Sequence, residues 1–257
     1  MDWIDEGIVL NVSKHGENDA LLECMTSAHG RHRGFVKSGM SKRQKAILQP
    51  GNLLKLSWRS RIEENLGHFR VDPIHSPLGG ILSNRATLNC LSAIVSVYGS
   101  TLPERETHPE LYLALQAYIN LLEEEGHGLA ILGAGIVKLE AGILSALGYG
   151  LNLEECAATG VKDDLIYVSP KSAQAVSKAA GDPYKAKMLP LPTFLLENPA
   201  NPITHKETLN GLTLTGYFLD RYIWAVYKKG QPSARERVIH QLGQQMRENK
   251  TVGEGQT

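Results

Sequence analysis

The residues best suited to a definite chemistry lie in the stretch Arg31-His32-Arg33-Gly34-Phe35-Val36-Lys37. At the period of two that governs a strand, Arg31, Arg33, Phe35 and Lys37 share one face. Cations neutralise phosphates and release counterions, and an aromatic ring stacks on a base of any identity, so such a face suits a nucleic acid. The basic run continues through Lys42, Arg43 and Lys45 to Lys55, Arg59 and Arg61. Residues 31–61 hold nine Lys or Arg and no Asp or Glu, while the rest of the chain holds 18 basic against 27 acidic residues. Solvated faces ordinarily interleave acids, so this run points to a polyanion.

Other chemistries are thinly represented. No GxxxxGK[ST] phosphate loop, GxSxG elbow or HExxH helix occurs. Cys24, Cys90 and Cys156 form no CxxC pair, so neither a disulfide framework nor a four-thiolate zinc site is expected. His29, His32 and His68 read as solvated or phosphate-facing side chains rather than metal ligands, because two of them stand beside arginines. Asp163-Asp164 reads as a polar turn. The pairs Gly126/Gly128 and Gly133/Gly135 read as close helix packing rather than a dinucleotide loop. The expectation is a protein with no catalytic residues, no metal and no cofactor.

The elements that must position the basic residues follow from periodicity. Ile8, Leu10 and Val12 alternate; Ala20–Thr26 and Arg31–Lys37 read as two further strands. A polar loop, Ser38–Gln49, ends at the turn dipeptide Pro50-Gly51. Leu54, Leu56 and Trp58 alternate with Lys55, Ser57 and Arg59, and Asn65–Val71 closes the set before Asp72-Pro73. Five short strands in about 70 residues predict a small closed barrel, since closure removes exposed edges. After Pro77 the spacing becomes helical over 80–98, 111–122, 129–147, 204–229 and 233–248, with an irregular stretch at 151–203 and a frayed tail at 251–257. No run of about 18 apolar residues is evident, so no membrane span is expected. The acidic Met1-Asp2-Trp3-Ile4-Asp5-Glu6 start suggests a cytoplasmic chain.

Several of these segments together resemble a known family. Glu6-Gly7-Ile8-Val9-Leu10, Lys14-His15-Gly16-Glu17-Asn18, His29–Gly34, Gln49-Pro50-Gly51-Asn52 and Leu66-Gly67-His68-Phe69 are similar to the N-terminal half of RecO. Leu147-Gly148-Tyr149-Gly150-Leu151 and Cys156-Ala157-Ala158-Thr159-Gly160 continue the resemblance. It implies an α+β protein with a five-stranded OB-fold barrel over 1–77 and an all-helical domain over 78–250. Within that domain 151–203 would be an irregular, zinc-site-like insert lacking the cysteines. It also implies a DNA-repair and recombination mediator of the RecF pathway that binds single- and double-stranded DNA and anneals complementary strands. Its partners would be RecR and the tail of single-stranded-DNA-binding protein (SSB), with RecA served indirectly; the setting would be cytoplasmic and nucleoid-associated. Some members carry a four-cysteine zinc site opening with CxxCG, where this chain keeps Cys156 alone. One thiolate cannot hold zinc.

On this reading Arg31, Arg33, Lys37, Lys55, Arg59 and Arg61 contact phosphates. Lys42, Arg43 and Lys45 act as a flexible clamp, and Phe35 stacks. The barrel supplies most of the DNA affinity and the helical part supplies partner grooves, with Lys138, Arg221, Lys228 and Arg235 as candidate cations there. Two rival classes are a nucleic-acid-processing enzyme, which needs a carboxylate or histidine cluster, and a protein-binding adaptor whose basic strip meets an acidic protein.

Overall fold

Five strands close on themselves at the N-terminus. The computed structural model describes residues 1–62, 65–197 and 202–254. The strands are β1 (Asp2–His15), β2 (Asp19–Thr26), β3 (Gly30–Val36), β4 (Leu53–Arg59) and β5 (His68–His75), closed in the order β1-β2-β3-β5-β4. All pairings are antiparallel except β3 with β5, which meet in parallel at Phe35↔His68 and Val36↔Phe69. β1 is long enough to serve two neighbours, pairing Asp2–Ile8 with β4 and Gly7–His15 with β2. A register shift between Val9 and Asn11 bends it between them. This is the small closed barrel that the alternation implied, OB-like as the resemblance implied. Val9, Leu22, Cys24, Val36, Leu54, Leu56, Trp58 and Phe69 fill it, and the interleaved polar side chains face out.

The expected polar loop after β3 contains a short helix, α1 (Lys42–Ile47). Ser41 caps it by accepting a hydrogen bond from the Gln44 amide, and Leu48 just beyond it joins the barrel core. The sequence Lys-Arg-Gln-Lys-Ala is polar all round yet made of good helix formers, which is why polarity alone misreads it.

The chain forms two compact units, Met1–Gly126 and His127–Thr257. The first also holds α2 (Leu78–Ile81), α3 (Arg85–Thr101) and α4 (Pro109–Glu123). The segment between α3 and α4 straps across β3. Arg105 N–H donates to the Arg31 carbonyl at 2.7 Å, and Thr107 Oγ1 donates to the Ala28 carbonyl at 3.1 Å. Gly30, at φ +65°, permits this approach: a Cβ there would lie 1.9 Å from the Glu106 carbonyl oxygen.

In the second unit, α5 (Leu129–Ala146) packs on α7 (His205–Leu219), with α8 (Ser233–Glu254) beside them. Gly133 makes the α5–α7 contact close, since a Cβ there would meet the Thr208 methyl at 2.6 Å. α5 is long and apolar enough to cross a membrane, contrary to the expectation; 61% of it is buried inside the unit. The insert expected to be irregular holds a small sheet. Residues 151–203 contain β6 (Leu165–Val168), β7 (Ala175–Ser177), the single turn α6 (Lys178–Gly181) and β8 (Leu189–Pro190), a sheet in the order β7-β6-β8. Strands of two to four residues are too short to show a period, so only their flanking turns were visible. The helix expected to reach Lys229 gives way to a π turn, Asp220–Trp224. Its wider ring brings both Ile223 and Trp224 inward beside Phe218 and Leu219. The last helix continues to Glu254 where fraying was expected from Thr251; residues 255–257 lie outside the described residues.

Candidate nucleic-acid interface

Alternation on β3 places Gly30, His32, Gly34 and Val36 inward and Arg31, Arg33 and Phe35 outward. The outward arginines are not free cations. Arg31 pairs with Glu23 of β2 and donates Nε–H to the Leu102 carbonyl at 2.7 Å. Arg33 pairs with Glu104 of the strap, at 2.9 Å through Nε and 2.8 Å through a terminal nitrogen. Burial works to raise the Glu104 pKa, but Arg33, Arg31 and Arg105 together hold it below the usual carboxylate range. The two carboxylates lie outside residues 31–61, so a count along the chain could not register them. Arg31 and Arg33 are thereby each balanced by a carboxylate within the fold.

The other basic residues divide by place. Lys37, Lys42, Arg43 and Lys45 are exposed. The last three stand on α1, a capped helix rather than a flexible clamp. Lys55 is exposed but stands in register between Glu6 of β1 and Asp72 of β5, in an acidic row. Arg59 and Arg61 line an open groove of about 1480 Å³ together with Phe35, His68 and Arg70. Phe35 is partly buried there, its ring 4.5 Å from His15 and 5.8 Å from His68. Arg70 and His15 were missed by the sequence reading. Arg70 carried a signal, alternating with Phe69 and Val71 on β5, but it lies beyond the acid-free run.

Of the three histidines, only His68 faces this groove. His29 lies flat on Trp3, with ring centroids 4.1 Å apart, and its Nδ1 sits 2.9 Å from Asp5 Oδ2. His32 is buried against Trp58 and Trp3 at 5.0 and 5.1 Å. Burial, with Arg105 adding to it, pushes His32 down to about 4, so its ring is neutral near pH 7. His32 is thus not the solvated or phosphate-facing side chain expected, because its neighbours Arg31 and Arg33 point to the opposite face of β3; His29 keeps a partly exposed ring.

In the second unit Arg235 is buried in a bidentate pair with Glu140, at 2.7 and 2.9 Å, so it is no surface cation. Cys156 is buried in a turn closed by Gly160 N–H to the Cys156 carbonyl at 2.8 Å. Its sulfur accepts the Ser177 N–H at 3.2 Å. Burial would raise this thiol, but hydrogen bonds from Ser177, Thr159 and Ala158 outweigh it and bring the pKa down to about 6. Burial raises Cys24, and carries Cys90 up to about 12. No group of three His, Cys, Asp or Glu among the described residues is arranged to hold a metal.

The thiolate absorbance at 240 nm is therefore expected to show one of three cysteines titrating near pH 6 and to lose that step in Cys156→Ser. Because the folded pKa lies below that of a free thiol, the stabilisation is complete above the free-thiol pKa and is lost as pH falls through about 6. The protein is also expected to purify without stoichiometric zinc and to tolerate chelators. One tightly held zinc per chain, or no thiol titrating below pH 7, would contradict this account.

Comparison with known proteins adds to the geometry. Residues 1–77 match the family model described as the N-terminal part of recombination protein O, and residues 82–230 match that of its C-terminal part. The chain is 44% identical over 243 residues to the "DNA repair protein RecO" of Methylobacterium nodulans, covering 93% of this chain and 97% of that one. It is 40% identical to that of Rhodospirillum rubrum, over 94% and 96% of the two chains. It is 38% identical to that of Brucella abortus strain 2308, over 95% and 96%.

Proposed function

The chain belongs to the RecO family of DNA repair proteins, and from that premise we propose that it is a non-enzymatic recombination mediator. It binds single- and double-stranded DNA, anneals complementary strands and, with RecR, helps RecA load on SSB-coated DNA in the cytoplasm. The observation that carries the DNA-binding reading is the barrel groove, where Arg59, Arg61 and Arg70 converge with Phe35 and His68. Cations lining the groove screen the repulsion between two phosphate backbones, while Phe35 and His68 offer ring faces to bases. Side chains that hold backbones leave base edges free to pair, which is what annealing requires. The exposed cations of α1 add further positive charge to the same unit.

The test is annealing of SSB-coated complementary oligonucleotides with and without the protein, together with a salt titration of binding. Acceleration of annealing is expected. If roughly five phosphates of single-stranded DNA are engaged, the log–log salt slope should be about −3 to −4. A flat salt response, strong preference for one sequence, or annealing no faster than the control would refute the proposal.

A further inference from the structure

The motif Leu147-Gly148-Tyr149-Gly150-Leu151 finds no use in the barrel groove; it belongs to the second unit. There Tyr149 stacks on Tyr222 of the π turn, with ring centroids 4.4 Å apart and planes within 6°. Tyr222 in turn lies nearly parallel to Phe218, at 6.0 Å and 14°. The three rings run from the core to the surface: Phe218 is fully buried, Tyr222 half-buried and Tyr149 40% exposed. No other ring among the described residues stacks on Tyr149. The series ends in an open aromatic face.

A cation flanks this end. The Arg221 guanidinium stands 5.3 Å from the Tyr222 ring centroid, and its terminal nitrogen donates to a neutral acceptor, the Pro170 carbonyl, at 2.6 Å. Lys228 and Lys229 are exposed on the turns that follow, beside Tyr227 at 65% exposure. From Arg221 to Ala234 the chain carries no Asp or Glu. No carboxylate among the described residues pairs with Arg221, Lys228 or Lys229. π turns of this kind recur at functional sites.

We infer that the Tyr149–Tyr222 stack, with Arg221, Lys228 and Lys229, is a second contact surface for single-stranded nucleic acid. One base adds to the stack on Tyr149 and the cations hold the flanking phosphates. Flat rings ending in an open face match a base better than an aliphatic side chain, and unpaired cations match the phosphates on either side of it. The inference rests on the reading that the chain binds DNA. It gives the helical part, expected to supply partner grooves, a share of the DNA contact as well.

The test uses the full chain and a 30-nucleotide dT strand, plain for affinity and substituted with 5-iodouracil for photocrosslinking. A crosslink to Tyr149 is expected. Tyr149→Ala should bind the strand about fivefold more weakly or worse, the low end of one lost base stack. Tyr149→Phe should bind within about twofold of the parent, because the ring and not the hydroxyl does the stacking. Arg221→Ala/Lys228→Ala/Lys229→Ala should lower the salt slope by about 2. An Arg59→Ala/Arg61→Ala/Arg70→Ala variant separates the two surfaces. If it loses binding while the Tyr149 and Arg221 variants keep the parental affinity without a crosslink, the groove stands and the second surface is wrong. Failure of the parent to bind the strand overturns both. An acidic, apolar peptide that protects Tyr149 while strand affinity is unchanged in Tyr149→Ala also overturns the inference. Should Tyr149→Ala misfold by circular dichroism, the crosslink and the triple cation variant decide.

Discussion

Arg235→Ala is expected to destabilise the second unit by about 3–5 kcal/mol, the usual cost of leaving a buried charge without its partner. Arg235 is 1% exposed and Glu140 is wholly buried. The guanidinium also donates to the Leu212 carbonyl at 2.6 Å and to Gln231 Oε1 at 2.7 Å, while Thr215 Oγ1 donates to Glu140. One truncation therefore strips a carboxylate, a carbonyl and a side-chain amide of a shared donor. Urea unfolding followed by circular dichroism measures the loss. Glu140→Gln/Arg235→Met should be far milder than either single change, because no uncompensated charge remains. A loss below about 1 kcal/mol for Arg235→Ala would mean that water reaches the pair.

That pair marks where sequence reading stops. The strands were legible because a half-buried strand alternates: Leu54, Leu56 and Trp58 against Lys55, Ser57 and Arg59 encode both the strand and its inner face. The long amphipathic helices were legible for the corresponding reason at period 3.6. Long-range pairing has no such signature. Glu140 lies 95 residues from Arg235, and Glu104 lies 71 from Arg33. Each acid looks like an ordinary solvated charge until the fold brings it against a cation. The basic run therefore shows where cations lie along the chain but could not say which of them stay free. Arg31 and Arg33, the centre of the motif, are spoken for. Arg70, outside it, lines the groove. The short β6–β8 sheet and α1 were missed because pieces of two to six residues complete no more than a turn or two of any period.

The largest functional effect is therefore expected away from β3. Arg59→Ala/Arg61→Ala/Arg70→Ala should weaken single-stranded DNA binding by about 3 kcal/mol at low salt, at about 1 kcal/mol for each charge-assisted contact removed. If each arginine meets one phosphate, the log–log salt slope should shrink by about 2. Fluorescence anisotropy across a salt series gives both quantities at once. Arg33→Ala serves as the contrast: its charge is already balanced by Glu104 at 2.8 Å, so binding should change by less than about 0.5 kcal/mol, the range of an ordinary surface substitution. Phe35→Ala should cost about 1–3 kcal/mol with an unchanged salt slope, because a stacked ring carries no counterions. Equal losses in the groove triple and in Arg33→Ala would return the binding face to β3 and require DNA to displace Glu104 from its arginine. Retention of the parental slope in the triple would remove the groove from the interface altogether and leave the cations of α1 as the surface to test next.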